Sequence, residues 1–178
     1  NGAATVKPGL GRTPAYNPSA TVERGLLAQI MSVQGVLARE VRDVRLGIRS
    51  LLRYDPQDPW MVPMPFDGPP LDAPLRVAFT KNPYEFDVHP AVLSALDTAR
   101  DLLADAGYVV EEIEPPLLRE AAEVGGRCLF TEVKALLGLE VEKHGSESLK
   151  GVFAEYYRQF PVYEPQEFLE KLAERARF

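Results

Sequence analysis

A chain of 178 residues, with 46% hydrophobic and 26% charged side chains, is long enough to bury one ordinary core and has the balance of a globular protein. Its net charge of -6 gives it no electrostatic reason to seek nucleic acid or an anionic membrane surface, and no apolar run approaches the length of a membrane span. The single cysteine, Cys128, excludes an internal disulfide framework and fits a reducing, cytoplasmic compartment.

The chain opens on Asn1-Gly2-Ala3-Ala4 rather than Met, which points either to a removed tag or to sequence continuing upstream. Residues 1–20 carry Gly2, Pro8, Gly9, Gly11, Pro14 and Pro18, so loops are expected there with one short strand from Ala3 to Val6. Leu37, Val41, Val44, Ile48, Leu51 and Leu52 recur at helical steps and predict a helix over residues 37–52. Gly47 inside it costs about 1 kcal/mol against Ala. Between residues 54 and 74 prolines are too dense for helix or sheet interior, and the segment reads as a linker or surface wrap.

Leu75 to Thr80 then reads as a strand. Asp87, or His89 with Pro90 in the first turn, starts a helix with one apolar face that includes Val92, Leu93, Leu96, Leu102 and Leu103. Gly107 closes it, and Tyr108 to Ile113 forms a second strand stopped by Pro115-Pro116. Strand, helix, strand at this spacing predicts a βαβ unit with parallel strands and a right-handed crossover. Helices are expected near residues 118–143, 147–159 and 165–176, the last opened by Pro165 among Glu164 and Glu167.

Residue chemistry yields no catalytic constellation. The serines are Ser19, Ser32, Ser50, Ser94, Ser146 and Ser148, and none sits in a Gly-x-Ser-x-Gly turn. Ser146 and Ser148 suit a turn and a helix N-cap. Cys128 has only His89 and His144 as candidate bases and reads as a small buried hydrophobe on a helix. The same three residues, far apart in sequence, make a poor metal set, so no metal is expected. Gly9-Leu10-Gly11 matches neither the dinucleotide nor the P-loop pattern.

The ordered motifs, by contrast, resemble the amidase signature family. Gly2-Ala3-Ala4-Thr5-Val6-Lys7-Pro8-Gly9-Leu10-Gly11-Arg12 resembles that family's G-x-x-G-L-K-P-T-x-G-R stretch. Gly35 to Asp43 resembles its G-P-x-A-R-[ST]-V-x-D, and Asp55-Pro56-Gln57-Asp58-Pro59 its D-P-x-D-P. Leu75 to Thr80 and the segment from His89 through Pro116 look like the strand and the helix-strand unit that follow. Thr5, Gly9 and Val36 depart from the usual Gly, Thr and Pro.

The resemblance implies an α/β fold: an incomplete mixed sheet flanked by helices, with the βαβ unit near 75–113 and a helical C-terminal part. It divides the chain into the end of the signature core (1–53), the Pro-rich segment (54–74), the βαβ unit (75–116) and a helical region (117–178), all within one domain of the intact enzyme. It further implies a cofactor-free hydrolase acting on the C–N bond of a small-molecule amide through a nucleophilic Ser, a second Ser in a cis peptide and a Lys. All three would lie upstream of Asn1, leaving this chain inactive alone. Lys7, Gly11, Arg12, Arg39 and Asp43 then read as structural motif residues. Phe130, Tyr156 and Tyr157, in the region where family members differ by substrate, are candidates for a pocket wall. The competing reading is a non-catalytic binding or subunit module on the same scaffold, as a stable monomer or homodimer; it includes a subunit-A-like part of a tRNA-dependent amidotransferase.

Overall fold

A computed structural model describes residues 2–20, 24–84 and 87–178. Asn1 lies outside them. Residues Asn1–Gly68 with Cys128–Val162 form one compact unit, and Pro69–Arg127 with Tyr163–Phe178 form a second.

In the first unit β1 (Ala4–Val6) pairs antiparallel with β2 (Val36–Ala38), in the register Ala4 to Ala38, Thr5 to Leu37 and Val6 to Val36. The Thr5 hydroxyl donates to the Val36 carbonyl at 2.9 Å. The predicted helix over 37–52 therefore begins later, as α2 (Val41–Leu51). Leu37 keeps step with the helical apolar series, but its backbone is committed to β1, and Glu40 turns the chain in an extended conformation. Val44 and Ile48 are the buried pair of α2, one turn apart, which is the spacing that puts two side chains on one face. Gly47 faces Val36, where an added Cβ would come within 2.9 Å of a Val36 methyl.

Residues 52–75 contain no helix or strand. The part up to Gly68 is held by side chains of the first unit. Arg12 Nη2 donates to the Pro65 carbonyl at 2.8 Å. Arg45 and Arg49, one turn apart on α2, each place a guanidinium 4.7 Å from the Phe66 ring centroid and both pair with Asp67. In the Asp-Pro-x-Asp-Pro run each aspartate accepts from the amide two residues on, Asp55 from Gln57 and Asp58 from Trp60, both at 2.9 Å. These are Asx turns, the local hydrogen bond that makes Asp a turn residue. Asp58, nearly buried, also accepts from the Ala15 amide at 2.7 Å. Gly11, at φ +77°, accepts from the Val62 amide at 2.9 Å, and a Cβ there would sit 2.2 Å from the Trp60 carbonyl oxygen. The segments around two motifs separated in sequence are thus joined in one clasp.

Also in the first unit is α1 (Leu26–Met31). A short helix leaves its first amides without internal partners. Here the Glu132 carboxylate accepts from Leu27 at 2.8 Å and from Ala28 at 3.1 Å, acting as a cap from a distant part of the chain.

The second unit holds β3 (Arg76–Phe79) and β4 (Val109–Glu112), paired parallel from Arg76 to Val109 through Phe79 to Glu112. Between them runs α3 (Pro90–Asp105). His89 caps it: Nδ1 accepts from the Ala91 amide at 3.2 Å, with Pro90 at the first helical position. Gly107, at φ +91°, ends it, and the Tyr108 amide bonds back to the Leu103 carbonyl. The strand-helix-strand unit and its parallel pairing are as predicted. α4 (Leu118–His144) follows, its residues 118–127 in the second unit and 128–144 in the first. Cys128 is buried on it. α5 (Glu147–Gln159) belongs to the first unit, and α6 (Pro165–Ala173) with a short 3-10 turn (Glu174–Arg177) to the second. No helix among the described residues is long and apolar enough to cross a membrane.

Candidate functional site: the aromatic face of α4 and α5

α5 starts cleanly because the Ser146 hydroxyl accepts from the Leu149 amide at 3.2 Å and Glu147 sits in the first turn. From that start Phe153, Tyr156, Tyr157 and Phe160 fall at steps of three, one and three residues, which gathers them on one side. Phe130 of α4 meets them. Its ring stacks on Tyr156 at 4.6 Å between centroids and on Phe160 at 5.5 Å, and it meets Tyr157 nearly edge-on at 6.3 Å. Phe153 adds edge and tilted contacts to Tyr156 and Tyr157. Offset and edge-on pairs of this kind contribute about 0.5–1.5 kcal/mol each beyond their buried area.

Phe130, Tyr156 and Tyr157, which come from two helices, are thus one cluster. Phe153 and Phe160 complete it; their spacing with the two tyrosines is visible in the sequence, whereas the partnership with Phe130 needs the fold. The Tyr157 hydroxyl is buried and has no hydrogen-bond partner among the described residues. That burial pushes the phenol above its ordinary value, so it remains a neutral O–H donor. Lys134 lies with its ammonium 5.3 Å from the Tyr157 ring centroid. Beside these rings is an open pocket of about 430 Å³ lined from α4 by Lys134, Gly138 and Leu139 and from α5 by Lys150, Phe153 and Tyr157, with Glu142 the one carboxylate in its wall.

The signature residues stand elsewhere in the first unit. Gly11 and Arg12 belong to the clasp, Asp43 lies in the first turn of α2, and Lys7 and Arg39 are exposed. A larger cleft of about 650 Å³ adjoins the clasp, with Tyr16, Arg24, Gln57 and Asp58 in its wall and Trp60 Nε1 donating to Gln29 at 3.1 Å. Three of the six serines have local roles: Ser19 bonds Asn17, Ser50 donates to the Leu46 carbonyl one turn back, and Ser146 caps α5. No three His, Cys, Asp or Glu side chains gather at one point among the described residues.

Residues 1–169 match the family model described as Amidase. The chain is 53% identical over 116 residues to an indoleacetamide hydrolase of Bradyrhizobium diazoefficiens, covering 65% of this chain and 22% of that protein. It is 50% identical over 116 residues to an indoleacetamide hydrolase of Bradyrhizobium japonicum, covering 65% of this chain and 25% of that protein. Identity to the vitamin D3 hydroxylase-associated protein of Gallus gallus is 30% over 116 residues, 61% of this chain and 24% of that protein. The chain spans about a quarter of the length of these curated relatives. With a family model matched from the first loop to α6, over the clasp, the βαβ unit and the aromatic helices alike, the chain belongs to the amidase family.

Proposed function

We propose that this chain is part of an enzyme that hydrolyses the C–N bond of a small aromatic amide, with Phe130, Tyr156 and Tyr157 in the wall that receives the aromatic group. The observation that carries the reading is the family match over residues 1–169. The name of the 53%-identical relative supports an arylacetamide as substrate. In the proposed chemistry a serine oxygen attacks the amide carbonyl carbon and the C–N bond breaks. The attacking serine gives its proton through a second serine to a lysine, and the same relay returns it to the leaving nitrogen, which departs as ammonia. Backbone amides stabilise the oxyanion, and water then releases the carboxylate. The lysine and both serines are placed upstream of Asn1. The local roles of Ser19, Ser50 and Ser146 as turn, helix and cap residues support that placement.

The test compares the 178-residue chain with a version extended through its natural upstream sequence, measuring ammonia release from indole-3-acetamide and from acetamide. The extended protein is expected to turn over the aromatic amide in preference to acetamide, and the shorter chain neither. Absence of turnover by the extended protein would favour a non-catalytic module. Hydrolysis by the shorter chain, titratable as one active site per molecule, would show that the nucleophile lies within it.

A further inference from the structure

The pocket between α4 and α5 has a chemistry that the stacked rings beside it lack. Phe153, Tyr157 and Leu139 are among its apolar lining residues, and two lysines, Lys134 and Lys150, line it with a single acidic residue, Glu142. Lys134 has no carboxylate partner among the described residues. Lys150 pairs at 3.2 Å with Glu147, whose side chain is 91% exposed, so that pair is screened by water and readily exchanged for another anion. A volume of about 430 Å³ lies within the range of pockets that hold small ligands. Gly138 keeps one side of it open, since a Cβ there would meet only Lys134 Cγ, at 3.7 Å. On a chain of net charge -6, two lysines beside aromatic faces, one of them without a carboxylate partner among the described residues, stand out from the overall acidic field.

We infer that this pocket binds a small aromatic carboxylate, with the ring against Phe153 and Tyr157 and the carboxylate at the Lys134 and Lys150 ammonium groups. The choice of an arylacetate as ligand rests on the proposed amide hydrolysis, because breaking the C–N bond of an arylacetamide leaves that acid. The pocket would then be a product-binding site, and occupancy would slow turnover as acid accumulates. Selectivity comes from charge: the amide and the acid have nearly the same shape and both can accept from an ammonium, but only the acid carries the opposite charge and forms ion pairs with the two lysines.

Binding is measured by ligand-observed NMR and titration calorimetry on the 178-residue chain, with indole-3-acetate as probe and indole-3-acetamide as its neutral counterpart. The acid is expected to bind more tightly than the amide by about tenfold, and raised salt to narrow the gap. Lys134→Met with Lys150→Met should remove the preference, while Lys143→Met, outside the pocket wall, should leave it. Gly138→Leu should occupy the space and abolish binding of both probes. Milder substitutions, Lys134→Gln and Gly138→Ala, keep the test valid if a larger change disturbs folding, which circular dichroism reports. Equal affinity for acid and amide, an unchanged preference in the folded double-lysine variant, or no binding at millimolar probe would overturn the proposal. Failure of the amidase reading would show differently, as absent ammonia release with acid binding intact.

Discussion

Tyr157 is the residue at which burial and chemistry are in tension. Its ring is held by Phe130 and Phe153, yet its hydroxyl is buried with no partner among the described residues. A buried donor without an acceptor costs about 1–3 kcal/mol relative to one that is satisfied. Tyr157→Phe keeps the ring and removes that cost, so the variant should be as stable as the parent or more stable by about 1 kcal/mol in urea unfolding. The pH dependence follows from the direction of the shift. The folded phenol titrates above the ordinary value of 10.0 because burial penalises the phenolate. Stability is therefore unaffected by this group below that value and falls as pH rises past it, where the unfolded chain ionises before the folded one. Tyr157→Phe should remove this part of the alkaline loss of stability, and urea midpoints measured below and above pH 10 would show it. A midpoint that falls on substitution at both pH values would mean that the hydroxyl has a partner. Some single-residue behaviour is legible in the sequence: Ser146 as a cap, His89 before Pro90 and Gly107 at a helix end follow from local backbone chemistry. The Tyr157 hydroxyl is not, because its isolation is set by side chains from another helix.

Between elements, the two glycines Gly47 and Gly125 look alike in sequence, each inside a helix and each about 1 kcal/mol worse than Ala by propensity. The packing separates them. A Cβ at Gly47 would come within 2.9 Å of a Val36 methyl, whereas one at Gly125 meets nothing within 4 Å. Overpacking costs about 1–3 kcal/mol and outweighs the propensity gain. Gly47→Ala is thus expected to lower the thermal midpoint and Gly125→Ala to raise it, as calorimetry would check. The pairing of the strand that carries Val36 explains the boundary that periodicity misplaced. Leu37 continues the apolar series of α2, but residues 36–38 are held by β1. Strand pairing across some thirty residues leaves no local mark on a helical pattern, while the βαβ unit, built from neighbouring segments, leaves a clear one. α1 was not anticipated for a related reason: its first amides are held by a side chain far along the chain.

For the whole molecule, the described sheets are two pairs of strands. Two-stranded sheets rarely persist without packing on further structure, and open strand edges invite pairing with other chains. Large apolar side chains are also exposed on the first unit, among them Leu37 at 67%, Val41 at 74%, Leu46 at 67% and Leu139 at 74%. The 178-residue chain should therefore self-associate with rising concentration, and extension through the upstream sequence should reduce this in light scattering. A strictly monomeric chain at all concentrations would count against it. Family membership was legible at this scale because five short motifs keep their order, although each is weak alone. The clasp supplies a physical reason for two of them: Gly11 and Arg12 bond Val62 and Pro65, just past the Asp-Pro-x-Asp-Pro turns, and Asp58 of those turns accepts from Ala15, just past Arg12. The aromatic cluster was only partly legible. α5 displays its half as a spacing, but Phe130 joins from a helix whose placement no local pattern encodes.

The carboxylate of Glu132 reaches α1 from 105 residues away. A helix of six residues does not persist alone in water, because so short a segment cannot offset the cost of nucleation. The amide protons of Leu27 and Ala28 are therefore shielded only while α4 is formed around Glu132. In a hydrogen-exchange experiment these two amides should exchange at the opening rate of the middle of α4 rather than at a rate of their own, and Glu132→Ala should release both without changing exchange within α5. They would serve as a built-in gauge of how often α4 lets go.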